Sequence, residues 1–247
     1  MTDVLRLLTD EPEDGPTNMG RDQALLARVG AGSSPPTLRL YAWSSATISL
    51  GCFQPYSAYE ALAAQAGPLP VVRRVTGGGA ILHDAELTYS LTLPRDHRLA
   101  RGNPACLYDP VHQAVIGAVG ELGVTAKRCD GGAAPTARRD APFFCFARRH
   151  PTDVMVGSAK LAGSAQRRSR DAVLQHGSII LANRRKVQPS AVLGAGASAD
   201  RLAALFTQHL ARCLRVRFEP GTWSDAERVD ASREALRFGD PAWTRKH

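Results

Sequence analysis

A cysteine and a lysine fifteen positions apart are the side chains best suited to chemistry. Cys145 lies in "PFFCFARR". Its aromatic neighbours suit a buried, inert thiol. Arg148, Arg149 and the long loop before the stretch suit instead a reachable thiol with a lowered pKa, and hence a nucleophile. Lys160 lies in "GSAKLAGSAQRR". Small residues on both sides let a strand and its turn close around one cationic side chain. Such a lysine can donate to a carbonyl or phosphate oxygen on which charge develops; a solvated surface lysine is the plain alternative.

The stretch "RRVTGGGAILHD", residues 73–84, is a third candidate. Glycines there leave bare N–H donors able to approach a carboxylate, phosphate or acyl group, and a tight hairpin is the structural alternative. The pattern is neither GxxxxGK[ST] nor GxGxxG, which excludes the P-loop and dinucleotide fingerprints. His83, and His176 in "LQHGSIIL", sit beside glycine turns and suit core histidines with one satisfied bond each. No HxxxH, HExxH or DxD array is present, so no metal is expected.

The elements that must position these residues are readable in outline. Helical spacing predicts helices over 18–29 (capped by Asn18), 59–66, 108–123, 201–216 and 224–238. Strand-like runs cover 38–43, 46–51, 71–75, 80–84 and 87–93, and three more fall within 152–181. Residues 129–142 and 183–199 read as loops. Strands cluster centrally with helices around them, which predicts an α+β fold with a mixed, largely antiparallel sheet.

The chain has 247 residues, is 44% hydrophobic and 22% charged, and can bury a sizeable core. No signal peptide or membrane span is expected, and five scattered cysteines without a CxxC pair suit a reducing, cytoplasmic setting. The net charge of +8 favours an acidic partner. Only 6% of residues are aromatic and no nucleic-acid module is recognisable, so an acidic protein or a phosphate-bearing ligand fits at least as well as nucleic acid.

In this order, "RRVTGGGAILHD", "CF…PTDVMVG…KLAGSAQRR" and "LQHGSIIL" resemble the lipoate–biotin protein ligase/acyltransferase superfamily. "NMGRDQALL" and "LRLYAWSSATISLGCFQP" agree with it. The resemblance implies one catalytic domain over 1–247, with a helical segment at about 201–247. The 47 residues after Asp200 are too few for a sizeable accessory domain. It also implies one of two chemistries. Ligases use ATP and Mg2+ to make an acyl-adenylate, which Arg73 and Arg74 would contact. Ligase-like octanoyltransferases need no cofactor. They carry octanoate from acyl carrier protein on a cysteine in a "CF" element before "K(I/L)AGSAQ", the place Cys145 occupies, and pass it to a lysine of a lipoyl domain. Such acceptors include glycine cleavage H protein and 2-oxoacid dehydrogenase E2; neither nucleic acid nor membrane takes part. No cysteine follows "HGSIIL" closely, which disfavours the other octanoyltransferase class.

On this resemblance Cys145 is the nucleophile and Lys160 holds the acyl carbonyl. His83 and His176 orient the thiol or relay a proton. Gly77, Gly78 and Gly79 form the acyl floor, with Gly163, Ser164 and Ala165 opposite. The sequence departs from relatives at Arg148, Arg149 and His150, at Ser158-Ala159, and in "HDAELTYS", which lacks a glycine–asparagine pair.

Overall fold

Alternation in "AELTYSLTL" sets the central layer. Leu87, Tyr89, Leu91 and Leu93 face one side, in the main apolar core. Glu86, Thr88, Ser90 and Thr92 are equally buried on the other side, as period-two geometry requires. The computed structural model describes residues 3–130, 141–194 and 196–247; most of the loop expected at 129–142 lies outside the described residues.

In chain order the elements are β1 (Asp3–Thr9), α1 (Gly15–Gly30), β2 (Thr37–Tyr41), β3 (Thr47–Leu50), α2 (Ser57–Ala66), β4 (Val71–Arg73), β5 (Ile81–His83) and β6 (Ala85–Pro94). There follow α3 (Ala105–Gly120), β7 (Lys127–Arg128), a 3-10 turn (Cys145–Ala147), β8 (Val154–Val156), β9 (Ala159–Arg168) and β10 (Ala172–Ala182). The chain ends with α4 (Ala199–Leu214), β11 (Val216–Pro220), α5 (Asp225–Gly239) and α6 (Pro241–Thr244). Eight strands form one sheet in the order β11-β1-β2-β6-β10-β9-β8-β7, and a second sheet runs β4-β3-β5. The large sheet is parallel only at β11-β1 and β1-β2. The mixed, largely antiparallel α+β architecture is therefore as expected.

Helices cover both faces. Val111 and Val115 of α3 and Phe206 and Leu210 of α4 fill the apolar core with the odd residues of β6. Helix α1 lies on the polar face over β6 and β10, with α5 packed against it. Gly20 permits that packing, because a Cβ there would sit 2.6 Å from Ala235 N and 2.7 Å from Ala231 O. Among the described residues no helix is long and apolar enough to cross a membrane.

The structure differs from the sequence expectations at the start of α1 and at two further strands, and it decides the alternative left open at the triple glycine. Helix α1 starts earlier, with Asp14 accepting from Thr17 N as the cap and a proline in its first turn, a favoured opening. Asn18 instead lies buried inside the helix, donating to Glu13 O and Ala42 O. Residues 3–9 and 216–220 form sheet strands that the sequence reading left out; one of them interrupts the helical carboxy-terminal segment where Arg215 takes a left-handed φ of 55°. Strands β4 and β5 do not form a hairpin. Both pair with β3 between them, so the triple glycine crosses the end of β3. There a Cβ on Gly51 would lie 2.0 Å from Gly78 O.

Gly20→Ala is expected to push α5 off α1 and to lower stability by about 1–3 kcal/mol, the usual cost of overpacking. Denaturant unfolding checks this, and an unchanged midpoint would show that the helices can part freely.

Candidate active site

The glycine crossing is shaped from inside by Arg74, which is 3% exposed. Its Nη2 donates to Gly77 O at 2.8 Å and Gly79 O at 2.7 Å. Its Nη1 donates to Ser49 O and Ser49 Oγ, and its Nε to Thr76 Oγ1. Burial pushes its pKa down to about 10, partly opposed by nearby Cys145. Gly78 adopts φ +97°, a conformation open to glycine. Gly79 has no room for a side chain, since a Cβ would lie 2.8 Å from Cys145 N and 2.9 Å from Phe143 O. The crossing is zipped to the cysteine segment, with Ala80 N donating to Phe143 O and Cys145 N to Ala80 O.

That zip holds half-buried Cys145 beside β9. Lys160 Nζ stands 3.6 Å from Cys145 Sγ and 2.8 Å from Asp153 Oδ1, over the Phe146 ring. The ammonium is 4% exposed. Burial opposes its charge, but Cys145 and Asp153 outweigh that and hold its pKa above the ordinary lysine value. Gly163 makes the space: a Cβ there would be 2.3 Å from Lys160 Cε. Asp153 is fixed by its own turn, its Oδ2 accepting from His150 N at 2.8 Å.

A pocket opens between the glycine crossing and the sheet. Cys145 and Phe146 line it beside Gly77, Gly78 and Arg74, and Gly163, Ser164 and Ala165 line it from β9. Met19, Tyr41, Trp43 and Ile81 make much of the rest apolar.

Both expected histidines line this pocket, and both have their ring nitrogens occupied. His83 Nδ1 is 2.7 Å from Glu86 Oε1 and Nε2 is 2.7 Å from Ser49 Oγ. Burial lowers its pKa against the pull of Glu86. The neutral ring therefore donates from Nδ1 and accepts at Nε2. It stacks under Trp43, with centroids 3.8 Å apart. His176 Nδ1 is 3.0 Å from Asp22 Oδ2, and Nε2 is 2.7 Å from Thr76 Oγ1.

Arg73 does not reach the pocket. Neighbouring strand residues point opposite ways, and its guanidinium donates to Thr244 O, Gly51 O and Gln54 O, anchoring the carboxy-terminal segment. Arg149 is exposed and donates to Ser158 O, while Arg148 donates to Pro142 O. Within 4 Å, the cation on the sulfur is Lys160 alone among the described residues.

Sequence reasoning missed Asp153, Asp22, Trp43 and His112. Asp22 had a signal, because it interrupts the apolar stripe of Met19, Leu25, Leu26 and Val29 on α1 and is itself buried. Asp153 is a lone acid leading into the apolar strand "VMV". His112 lies among apolar residues in "PVHQAVIGAV". It bridges Thr152 O and Ser164 Oγ, the latter at 2.5 Å, and Ser164 Oγ in turn contacts Tyr89 OH.

The chain belongs to the lipoyl protein ligase A/B catalytic domain family, whose model matches residues 14–197. It is 41% identical over 177 residues to octanoyltransferase LipM of Moorella thermoacetica, covering 71% of this chain and 64% of that protein. To octanoyltransferase LipM of Symbiobacterium thermophilum it is 35% identical over 239 residues, covering 95% and 86%. Within the family the chain thus sides with acyltransferases. Its fold is shared with protein Ta0514 of T. acidophilum, solved with bound lipoic acid (TM-score 0.81, 21% identity, 100% of both chains). It is shared too with lipoate-protein ligase A bound with ATP (TM-score 0.79, 20% identity, 99% of both chains).

Burial pushes His112 down to about 4 from an ordinary 6.5, against its opposing hydrogen bond to Thr152 O. The folded chain keeps this ring neutral while the unfolded chain protonates it. Stability is therefore lost as pH falls from 6.5 to 4, by about 3 kcal/mol. Below the folded value no more is lost. Denaturation of wild type and His112→Gln across that window is expected to give converging stabilities, and parallel curves would refute the assignment.

Proposed function

We propose that the protein transfers an octanoyl group from octanoyl-acyl carrier protein, through a thioester on Cys145, to a lysine of an apo lipoyl domain. The observation that carries this reading is a thiol 3.6 Å from a buried ammonium at the wall of an apolar pocket. Cys145 thiolate attacks the donor's thioester carbonyl and the carrier leaves as its thiol. A lysine amine of the acceptor then attacks the new thioester, forming an amide and releasing Cys145. The first exchange is nearly balanced and the second runs downhill, so no ATP is consumed. The attacking species is thiolate, and its sulfur lies 3.6 Å from the Lys160 ammonium.

The pocket suits a medium-length chain. Across the sheet, Gly163 pairs with Ser178, Ser178 with Thr88, and Thr88 with Tyr41. Three strand spacings separate the ends of this row, about 14 Å. An extended eight-carbon chain reaches roughly 9 Å, from bonds of about 1.5 Å. Starting over β9 it ends over β6, against Tyr41 and Trp43. Trp43 cannot easily yield, because its Nε1 donates to Thr88 Oγ1 at 2.9 Å and its ring rests on His83.

The ATP-dependent ligase is the rival, and the two arginines expected on an adenylate weigh against it. Arg73 points away from the pocket to Thr244, Gly51 and Gln54, and Arg74 spends its donors on Ser49, Thr76 and the glycine carbonyls. The net charge of +8 suits acidic donor and acceptor domains in the cytoplasm. The reading takes the chain as one catalytic domain, supported by β11 pairing with β1 and by Arg73 holding Thr244 O.

Incubation with octanoyl-acyl carrier protein without ATP is expected to add one octanoyl mass, and Cys145→Ala to abolish it. Lipoyl-domain acylation that needs ATP and survives this substitution would establish the ligase instead. Trp43→Ala is expected to raise transfer of longer chains relative to octanoyl, by up to about fourfold per extra buried methylene. An unchanged chain-length profile would remove Trp43 from the end wall.

A further inference from the structure

Three carbonyls of the glycine crossing are taken up by protein donors. Thr76 O accepts from Cys52 N at 2.8 Å, and Gly77 O and Gly79 O accept from one Arg74 nitrogen. A trans peptide is planar, so each N–H points opposite the carbonyl it shares a plane with. The Gly77 carbonyl faces the guanidinium, which directs the Gly78 N–H away from it. Among the described residues no acceptor is bonded to the N–H of Gly77, Gly78 or Gly79, although Ala80 N and Cys145 N beside them are both paired. Gly77 and Gly78 line the same pocket wall as Cys145. A run of unmet backbone donors in a tight loop forms an anion-binding concavity.

We infer that the Gly78 N–H is a catalytic oxyanion donor acting together with Lys160, and that Arg74 is the positioning residue that aims it. The inference rests on the transferase reading. As Cys145 sulfur bonds to the thioester carbon, the carbonyl π pair moves onto oxygen. The Gly78 N–H and the Lys160 ammonium donate to that oxyanion. When the pair returns, the carbon–sulfur bond to the donor breaks and the donor thiolate leaves to take a proton from water. Asp22 stands behind this arrangement: through His176 and Thr76 it fixes Arg74 Nε, in a hydrogen-bonded line of 3.0, 2.7 and 3.1 Å.

Two reactions of Cys145 separate this role from mere folding. Acylation by octanoyl-N-acetylcysteamine passes through an oxyanion, whereas alkylation by iodoacetamide does not. Arg74→Lys keeps the charge but has one nitrogen in place of three, and so cannot hold the glycine carbonyls, Ser49 and Thr76 at once. It is expected to slow acylation by roughly 100-fold or more, as loss of an oxyanion donor does, with alkylation within about threefold of wild type. Replacing the Gly78 amide by an ester, which deletes only the N–H, is expected to do the same. Equal losses in both reactions, or no loss in acylation, would overturn the inference while leaving the transferase intact. Wild type that takes up no octanoyl group would overturn the transferase reading first, and the oxyanion role with it.

Discussion

A guanidinium shut away from water must have its donors met by protein, and in Arg74 that requirement organises the site. Two glycine carbonyls, a serine carbonyl and two hydroxyls converge on it. To bring Gly77 O and Gly79 O to one nitrogen the chain must fold back within three residues, which takes Gly78 to φ +97°. The outer edge of that fold is then close enough for Ala80 N to donate to Phe143 O and Ala80 O to accept from Cys145 N.

The same logic spaces the other buried ions. Arg39, with no exposure, is neutralised by Asp10 and Asp22 and capped by Asn18. This fastens α1 to β2 on the polar face of the sheet. Asp22 stays charged because His176, Arg39 and Ser90 together outweigh its desolvation. Replacing such a cluster by apolar residues need not cost stability, but it would abolish the line from α1 to the glycine crossing. The helix thereby bears on the pocket without supplying a reacting group.

Much of this was legible in the sequence, and what was not has particular causes. The alternation of "AELTYSLTL" and the small residues of "KLAGSAQRR" announce strands whose two faces differ, and both sit centrally in the sheet. Cys145 beside Lys160 could be expected only through the family resemblance, since fifteen residues and a turn separate them. The edge strand β11 and its neighbour β1 carry mixed patterns because each is only partly covered. Arg73 and Arg74 look equivalent in sequence. Strand alternation sends one to the carboxy-terminal segment and the other to the glycines, and which is which depends on the register of β4 beside β3. Asp153 was invisible because an ion pair with Lys160 needs the β8–β9 turn to bring it back.

Lys160 sits between two negative centres, and the proposed reaction changes only one of them. Beside the free thiolate the ammonium is attracted to both sulfur and Asp153. Once the sulfur carries an acyl group it is neutral, and that attraction vanishes. The carboxylate remains, too short and too firmly held by the His150 turn to follow. A buried ammonium with one donor released needs another acceptor, and in the proposed acyl-enzyme the thioester carbonyl can supply it. The cation beside the nucleophile in the first half-reaction therefore becomes the electrophilic partner in the second, without any change in the backbone that holds it.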